Sequence, residues 1–326
     1  MTMLYDADID ATLRPARVAV LGFGAQGRAQ ALNLRDGGLD VVVGLREGST
    51  SAAKARGEGL VVATPEAAVA AAAFVAFLVP DAVQPALYSM LERRLAPGTT
   101  LVFAHGYALH YRQLAPRADL DAVLVAPLGV GDQVRAQYAA GAGVPAIVAV
   151  QQDASGRARE RALGYAKALG CARAGIIEST LREEVETDLF AEQAVLCGGL
   201  THLVSAAFDT LVEAGYSPEV AYFSCLHEVK LLADLMHGRG IAGMRESISL
   251  TAEHGDYTRG PRVIGQPSRA AMREVLAEVQ SGAYARELAA EIAAGTPRVK
   301  AGRAAARAQL IEQVGARLRA RMPWLK

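Results

Sequence analysis

The sequence predicts an α/β protein in which a Rossmann-type, doubly wound parallel sheet is followed by an all-helical domain. Three observations carry this. From about residue 16, short β-branched runs alternate with alanine-rich helical stretches, the signature of a parallel sheet covered by helices. The first run leads directly into Gly22-Phe23-Gly24-Ala25-Gln26-Gly27, a glycine-rich strand-to-helix turn. After about Glu178 the β-branched runs stop, and apolar residues recur at helical spacing, as in Leu189, Val195, Leu196, Leu200 and Leu203, then Val220, Phe223, Leu226, Leu231 and Leu235. The expected division is 1–180 for the nucleotide-binding half and 181–326 for the helical half.

Six strands are expected at 17–21, 40–45, 74–79, 100–104, 122–126 and 146–151, each bounded by glycine, proline or polar residues. The turn Gly22–Gly27 lies between the first of them and a helix over 26–35. It therefore sets free backbone N–H groups and a helix dipole against a pyrophosphate. Gly22 permits the tight turn, Gly24 admits the phosphate and Gly27 lets helix meet strand, with Phe23, Ala25 and Gln26 completing the cradle. A second match, Gly238-Arg239-Gly240-Ile241-Ala242-Gly243, follows a helical stretch instead of a strand, so it receives no cofactor role.

Where an NAD-preferring site places an acidic residue at the end of the second strand, this chain has Arg46, followed by Ser49 and Ser51. A guanidinium and hydroxyls suit a ribose 2′-phosphate, so the expected cofactor is NADPH, with Glu47 turned to solvent.

Composition narrows the function classes. The 34 Lys and Arg balance 34 Asp and Glu, leaving no positive field for a nucleic acid or an anionic membrane. The cysteines Cys171, Cys197 and Cys225 form no CxxC pair and read as buried, reduced thiols. The first twelve residues carry Asp6, Asp8 and Asp10 and lack an apolar core, and the alanine-rich run 67–77 falls short of a spanning helix. A cytoplasmic protein with no membrane segment is expected. The arginine-rich segment 298–321 reads as a surface helix and tail.

In the helical half Asp188 and Glu192 stand four apart, on one helix face. Hard oxygen ligands so placed can hold magnesium, and Glu228 could add a third from another helix. A solvated acidic face explains the same spacing, and both readings stay open on the residues alone.

The order of these motifs, with Pro80-Asp81-Ala82-Val83-Gln84, Ala104-His105-Gly106, Glu186-Thr187-Asp188-Leu189-Phe190, Glu192-Gln193-Ala194-Val195-Leu196-Cys197-Gly198-Gly199, Val212-Glu213-Ala214-Gly215-Tyr216, Leu226-His227-Glu228 and Ser247-Ile248-Ser249, resembles the short, bacterial type of ketol-acid reductoisomerase from end to end. The resemblance implies a knotted helical C-terminal domain, interlocked between two subunits of a homodimer or larger homo-oligomer to complete each active site. It also implies a reaction: magnesium ions promote an alkyl shift in 2-acetolactate, and NADPH then reduces the new keto group on the way to branched-chain amino acids. Carried over by position, the metal ligands fall on Asp188, Glu192 and Glu228. The catalytic positions fall on His105, Glu192 and the substrate-contacting Ser249, and the nicotinamide side on Asp81 and Gln84, with Gly131 counted among the cofactor contacts.

The chain departs from that pattern around one cavity. A glutamate one turn before Glu228 is replaced by Ser224, so a second magnesium loses a ligand. The lysine expected in the loop after the fifth of these strands is Leu128, a histidine four residues on is Asp132, and the phrase after His105-Gly106 reads Ala108-Leu109-His110-Tyr111, with an asparagine lost. These changes imply a reductase for a small carbonyl or imine in which metal-dependent alkyl migration is weakened or lost. An authentic isomeroreductase acting on 2-acetolactate is the alternative, and a non-catalytic NADPH-binding regulator ranks below both.

Overall fold

The structure is a computed structural model that describes residues 3–10, 13 and 16–325. It divides into two units, Met1–Thr187 and Asp188–Lys326.

The first unit is built on a nine-stranded sheet in the order β1-β9-β8-β7-β6-β5-β2-β3-β4. The strands are β1 (Met3–Leu4), β2 (Arg17–Leu21), β3 (Asp40–Gly44), β4 (Val61–Ala63), β5 (Phe74–Phe77), β6 (Thr100–Phe103), β7 (Asp121–Pro127), β8 (Ala146–Gln152) and β9 (Ile176–Glu178). All six predicted strands are present. The other three, β1, β4 and β9, span only two or three residues, too few to show periodicity. The sheet is parallel-dominated but not wholly parallel, because β8 runs antiparallel to β7 and β1 antiparallel to β9. The connection from β7 to β8 runs through the helix Gly131–Ala139.

Strands β2, β5, β6 and β7 are buried along nearly their whole length, as strands covered on both faces must be. Phe77 and Phe103, both fully buried, stack with ring centroids 5.4 Å apart, and each contributes about 1.5–3 kcal/mol by leaving water. Because β2 pairs with β3 on one side and β5 on the other, the strand order reverses at β2. A crevice opens at such a reversal, beyond the carboxyl ends of the strands, and the glycine turn stands there.

The second unit is helical throughout its described residues. Its own core gathers Val204, Phe208, Ala221, Tyr222, Ile311 and Val314. The arginine-rich C-terminal segment is therefore more than a surface tail. The helix Leu310–Arg319 buries Ile311 and Val314 in that core, and Arg319 donates to the Tyr222 hydroxyl at 3.1 Å. The decoy glycine motif lies inside the helix Glu228–Arg245, where Gly240, at φ 71°, interrupts the helical geometry.

Two cysteine expectations fail. Cys171 is buried, its thiol pushed up to about 12 by burial, but Cys197 is exposed and Cys225 half-buried. Both sit on helices of the second unit that present much apolar surface to the outside of a single chain. The helical run Leu181–Glu213 is long and apolar enough, by length and composition alone, to cross a membrane, a stretch that the expectation resting on the short run 67–77 did not include.

Candidate functional site

The cofactor end of the site is shaped by backbone geometry. Gly22 has φ +101°, and a Cβ there would stand 2.6 Å from the Leu78 carbonyl oxygen; at Gly27 it would meet the Gly22 carbonyl at 2.4 Å. Side chains at either position would push the helix Ala25–Asp36 (α1) off the sheet, so these glycines close the turn against β2 and β5. Gly24 is different: a Cβ would meet nothing within 4 Å. Its N-cap position has no side-chain cap, which leaves the first N–H groups of α1 available to an anion.

After β3 the chain turns through Arg46–Ser49, with the Ser49 N–H donating to the Arg46 carbonyl at 3.1 Å. Arg46 and Glu47 are exposed, Ser49 and Ser51 half-buried, and among the described residues the Arg46 guanidinium has no ion pair. A cation held in the open at the end of β3 fits an anionic group on the adenosine ribose.

Beyond β5, Asp81 and Gln84 follow Pro80. Gln84 is buried; its Nε2 donates to the Val79 carbonyl and to Asp81 Oδ1, both at 3.2 Å. Its Oε1 is buried with no partner among the described residues. A buried amide oxygen without a donor costs about 1–3 kcal/mol, and a carboxamide N–H₂ such as that of nicotinamide would satisfy it.

A second group of candidate residues follows β6. His105 follows that strand, and Gly106 then lets the chain pass beside the helix Leu181–Ala191 (α2): a Cβ at Gly106 would stand 2.3 Å from Leu181 Cδ1. This close approach brings His105 Nδ1 to 3.3 Å from Glu184 Oε1. Glu184 is 5% exposed, and its Oε2 is buried with no partner among the described residues. Asp188 follows one turn later on the same helix, and donor atoms of His105, Glu184 and Asp188 lie within 4.8 Å of one another.

Two carboxylates and an imidazole at this spacing fit a divalent cation, and the unpartnered Glu184 oxygen is the observation that favours one. A buried carboxylate oxygen needs a cation, a proton or ordered water. Beneath this group, His110 Nε2 stands 3.7 Å from Glu186 Oε1, which also accepts from Arg182 Nε at 2.9 Å. Burial holds the His110 pKa below its ordinary value, with Glu186 pulling the other way.

Glu184 is the residue that sequence reading missed. It stands four residues before Asp188, as Glu192 stands four after, so extending the helical spacing one step toward the N-terminus would have found it.

Glu192, Glu228 and Ser249 belong to the second unit, which begins at Asp188. Glu192 opens a π-helical turn, Glu192–Leu196, and a second π turn, Phe223–His227, ends one residue before Glu228 and contains Ser224. Such turns widen the helix by one residue and re-aim the side chains that follow, and they concentrate at functional positions. Glu192, Ser224 and Glu228 are exposed. Ser249 caps the helix Leu250–Val263, its Oγ accepting from the Ala252 N–H at 3.3 Å.

After β7 come Leu128, 50% exposed, and Val130, 68% exposed, two apolar side chains presented at the carboxyl edge of the sheet. Asp132, 91% exposed, stands 3.9 Å from Arg28 Nη1.

Known proteins agree with this arrangement. A family model described as acetohydroxy acid isomeroreductase, NADPH-binding domain, matches residues 12–175, and one described as ketol-acid reductoisomerase, C-terminal domain, matches 181–324. Among solved structures, an NADH-preferring ketol-acid reductoisomerase from an uncultured archean superposes with a TM-score of 0.96 at 42% identity, covering 99% of this chain and 100% of that one. A semialdehyde dehydrogenase NAD-binding protein from Cupriavidus necator (TM-score 0.61, 18% identity, 82% of this chain and 99% of that one) and a pyrroline-5-carboxylate reductase from Coxiella burnetii (0.58, 13%, 82% and 98%) share the fold alone.

Proposed function

The chain belongs to the ketol-acid reductoisomerase family and is an NAD(P)H-dependent oxidoreductase, and from that premise we propose that it reduces a small carbonyl or imine with alkyl migration weakened or lost. The observation that carries this is the exposed apolar Leu128 at the end of β7, where the family resemblance implies a lysine. An ammonium there would sit among the oxygens of a hydrated, anionic substrate complex; a leucine favours a less charged substrate. Ser224 acts in the same direction, replacing a carboxylate with a neutral hydroxyl beside Glu228.

In this reading Gln84 and Asp81 fix the nicotinamide, with the Gln84 Oε1 accepting from its carboxamide. Glu184 accepts from His105 Nδ1 and so sets the ring orientation, and the opposite ring nitrogen gives a proton to the substrate oxygen or nitrogen as hydride reaches its carbon. Glu184 and Asp188 would hold a divalent cation, which would supply Lewis-acid polarisation, and the family resemblance adds Glu192 and Glu228 to the donor set. Magnesium is the ion that the carboxylate-rich donor set favours, with its second site impaired at Ser224.

The test is a panel of small 2-oxo acids and cyclic imines with NADPH and Mg²⁺, read as NADPH oxidation. At least one member should be reduced, and silence across the panel would favour a non-catalytic binding role.

A second reading has its own support. Identity of 42% over 99% of the chain to a ketol-acid reductoisomerase favours an authentic isomeroreductase acting on 2-acetolactate.

NADPH preference rests on Arg46 with Ser49 and Ser51. Arg46→Ala should weaken NADPH binding about ten- to a hundredfold, as expected for one charge-assisted contact to a phosphate, and leave NADH within about twofold. Equal loss for both cofactors in a fluorescence titration would assign Arg46 another role.

The helical unit presents Val195, Leu196, Val220 and Leu250 at 52–80% exposure. That much outward apolar surface supports a second copy of the chain as its cover, in an interlocked homodimer, and sedimentation should show no monomer at micromolar concentration.

A further inference from the structure

The loop after β7 is fastened to the glycine turn by a side chain whose amide is engaged within the protein. Gln26, the second residue of α1, donates from Nε2 to the Gly129 carbonyl at 2.9 Å. Its Oε1 accepts from Gln30 Nε2 at 3.3 Å, and Gln30 Oε1 in turn accepts from the Tyr165 hydroxyl at 3.0 Å. Gln30 and Tyr165 are fully buried, and burial drives the Tyr165 phenol far above its ordinary pKa, so it stays a donor at any working pH. Both ends of the Gln26 amide are thus engaged within the protein, by groups whose own direction is fixed.

The backbone repeats the same attachment. Gly131 is buried, and a Cβ there would meet the Ala25 carbonyl oxygen at 2.2 Å and the Gln26 nitrogen at 2.8 Å. The loop main chain therefore lies directly against the turn, at a distance that only glycine permits. One helical turn beyond Gln30, Asn33 extends the polar stripe: its Nδ2 donates to the Val134 carbonyl at 3.3 Å and the Leu169 carbonyl at 3.2 Å. Positions 26, 30 and 33 share one face of α1, so the helix meets the loop through the half-buried Gln26 amide and the helix Gly131–Ala139 through the buried Asn33 amide, which fix register as well as distance.

We propose that Gln26 is a positioning residue: it latches the segment 128–131, and with it Leu128, to the phosphate-binding turn, so that the substrate-side wall is placed by the cofactor half of the protein. In its bearing on catalysis this rests on reading Leu128 as part of the substrate wall; the latch itself does not. Gln26 thereby moves from cofactor contact to strut, although its backbone N–H still belongs to the turn.

The test compares Gln26→Met, which keeps volume and helix propensity but has no amide, with Gln26→Glu, which keeps the shape but sets an acceptor against the Gly129 carbonyl. Hydrogen exchange of the peptide spanning 127–133 is measured on the NADPH-bound full-length protein. Exchange there should rise about fivefold or more in both variants, the loss of one net hydrogen bond, while in Gln26→Met, which adds no charge beside the phosphate-binding turn, the NADPH Kd moves less than about threefold.

In turnover on a small 2-oxo acid that the native chain reduces, KM for the acid should rise with KM for NADPH unchanged. Unchanged exchange in either folded variant would overturn the latch, as would an NADPH Kd weakened more than about tenfold with the loop exchange unaltered. Because the exchange measurement needs no substrate, a failed substrate panel leaves this outcome readable. If Gln26→Glu does not fold, Gln26→Met with Tyr165→Phe as the far-end variant carries the same comparison.

Discussion

Leu128→Lys combined with Ser224→Glu should confer on this chain the conversion of 2-acetolactate to its methyl-migrated, reduced product, at a rate at least about a hundredfold above the native chain. The lysine restores a cation at the end of β7, among the oxygens of the migrating intermediate. The glutamate restores a carboxylate one turn before Glu228, on the π turn Phe223–His227, and with it the charge that a second magnesium needs. In the proposed reading alkyl migration would draw on two ions and on the charge balance around them, so the single variants should gain less than about tenfold, and the pair should exceed their product. Product identified by NMR, with NADPH consumed in equal amount, is the measurement. A double variant no better than either single one would mean that the two departures are not what separates this chain from an isomeroreductase.

The second large effect is expected at Glu184. Replacing it by glutamine keeps volume and the hydrogen-bonding shape but removes the charge. That carboxylate has one oxygen on His105 Nδ1 at 3.3 Å and the other buried without a partner among the described residues. Glu184→Gln should therefore weaken magnesium binding in calorimetry by about ten- to a hundredfold and lower NADPH-dependent turnover by a comparable factor. Thermal stability should hold or rise slightly, since a buried charge is removed in a protein titrated without metal. If affinity and turnover are unaffected while stability falls, the Glu184–His105 contact is structural.

Much of this was legible in the sequence, for identifiable reasons. The strands β2, β3, β5, β6, β7 and β8 are four to seven residues long and β-branched, so their pattern stands above background. The glycine turn was readable because Gly22 and Gly27 answer to local sterics, which a sequence displays directly. The pairs β1–β9 and β7–β8 were not readable as antiparallel, because strand direction is settled by the connecting chain and by long-range pairing.

Glu184 was hidden by its neighbours: Glu183, Glu184 and Glu186 look alike in sequence, and although the four-residue spacing from Asp188 singles out Glu184, its contact with His105 depends on the close approach at Gly106. Cys197 and Cys225 were misjudged because burial was inferred from residue type. Their exposure lies on a helical unit whose apolar residues face outward in the single chain. The role of Gln26 was hidden differently: a motif assigns the position to the cofactor, while the side chain's direction is decided by Gly129 and Gln30.

The most direct measurement is the fate of 2-acetolactate itself. The native protein with saturating Mg²⁺ and NADPH should consume little or no NADPH and yield no methyl-migrated dihydroxy acid by NMR, while reducing at least one small 2-oxo acid or imine under the same conditions. Formation of that dihydroxy acid at the rates of an ordinary isomeroreductase would contradict the loss of alkyl migration and leave Leu128 and Ser224 as neutral replacements.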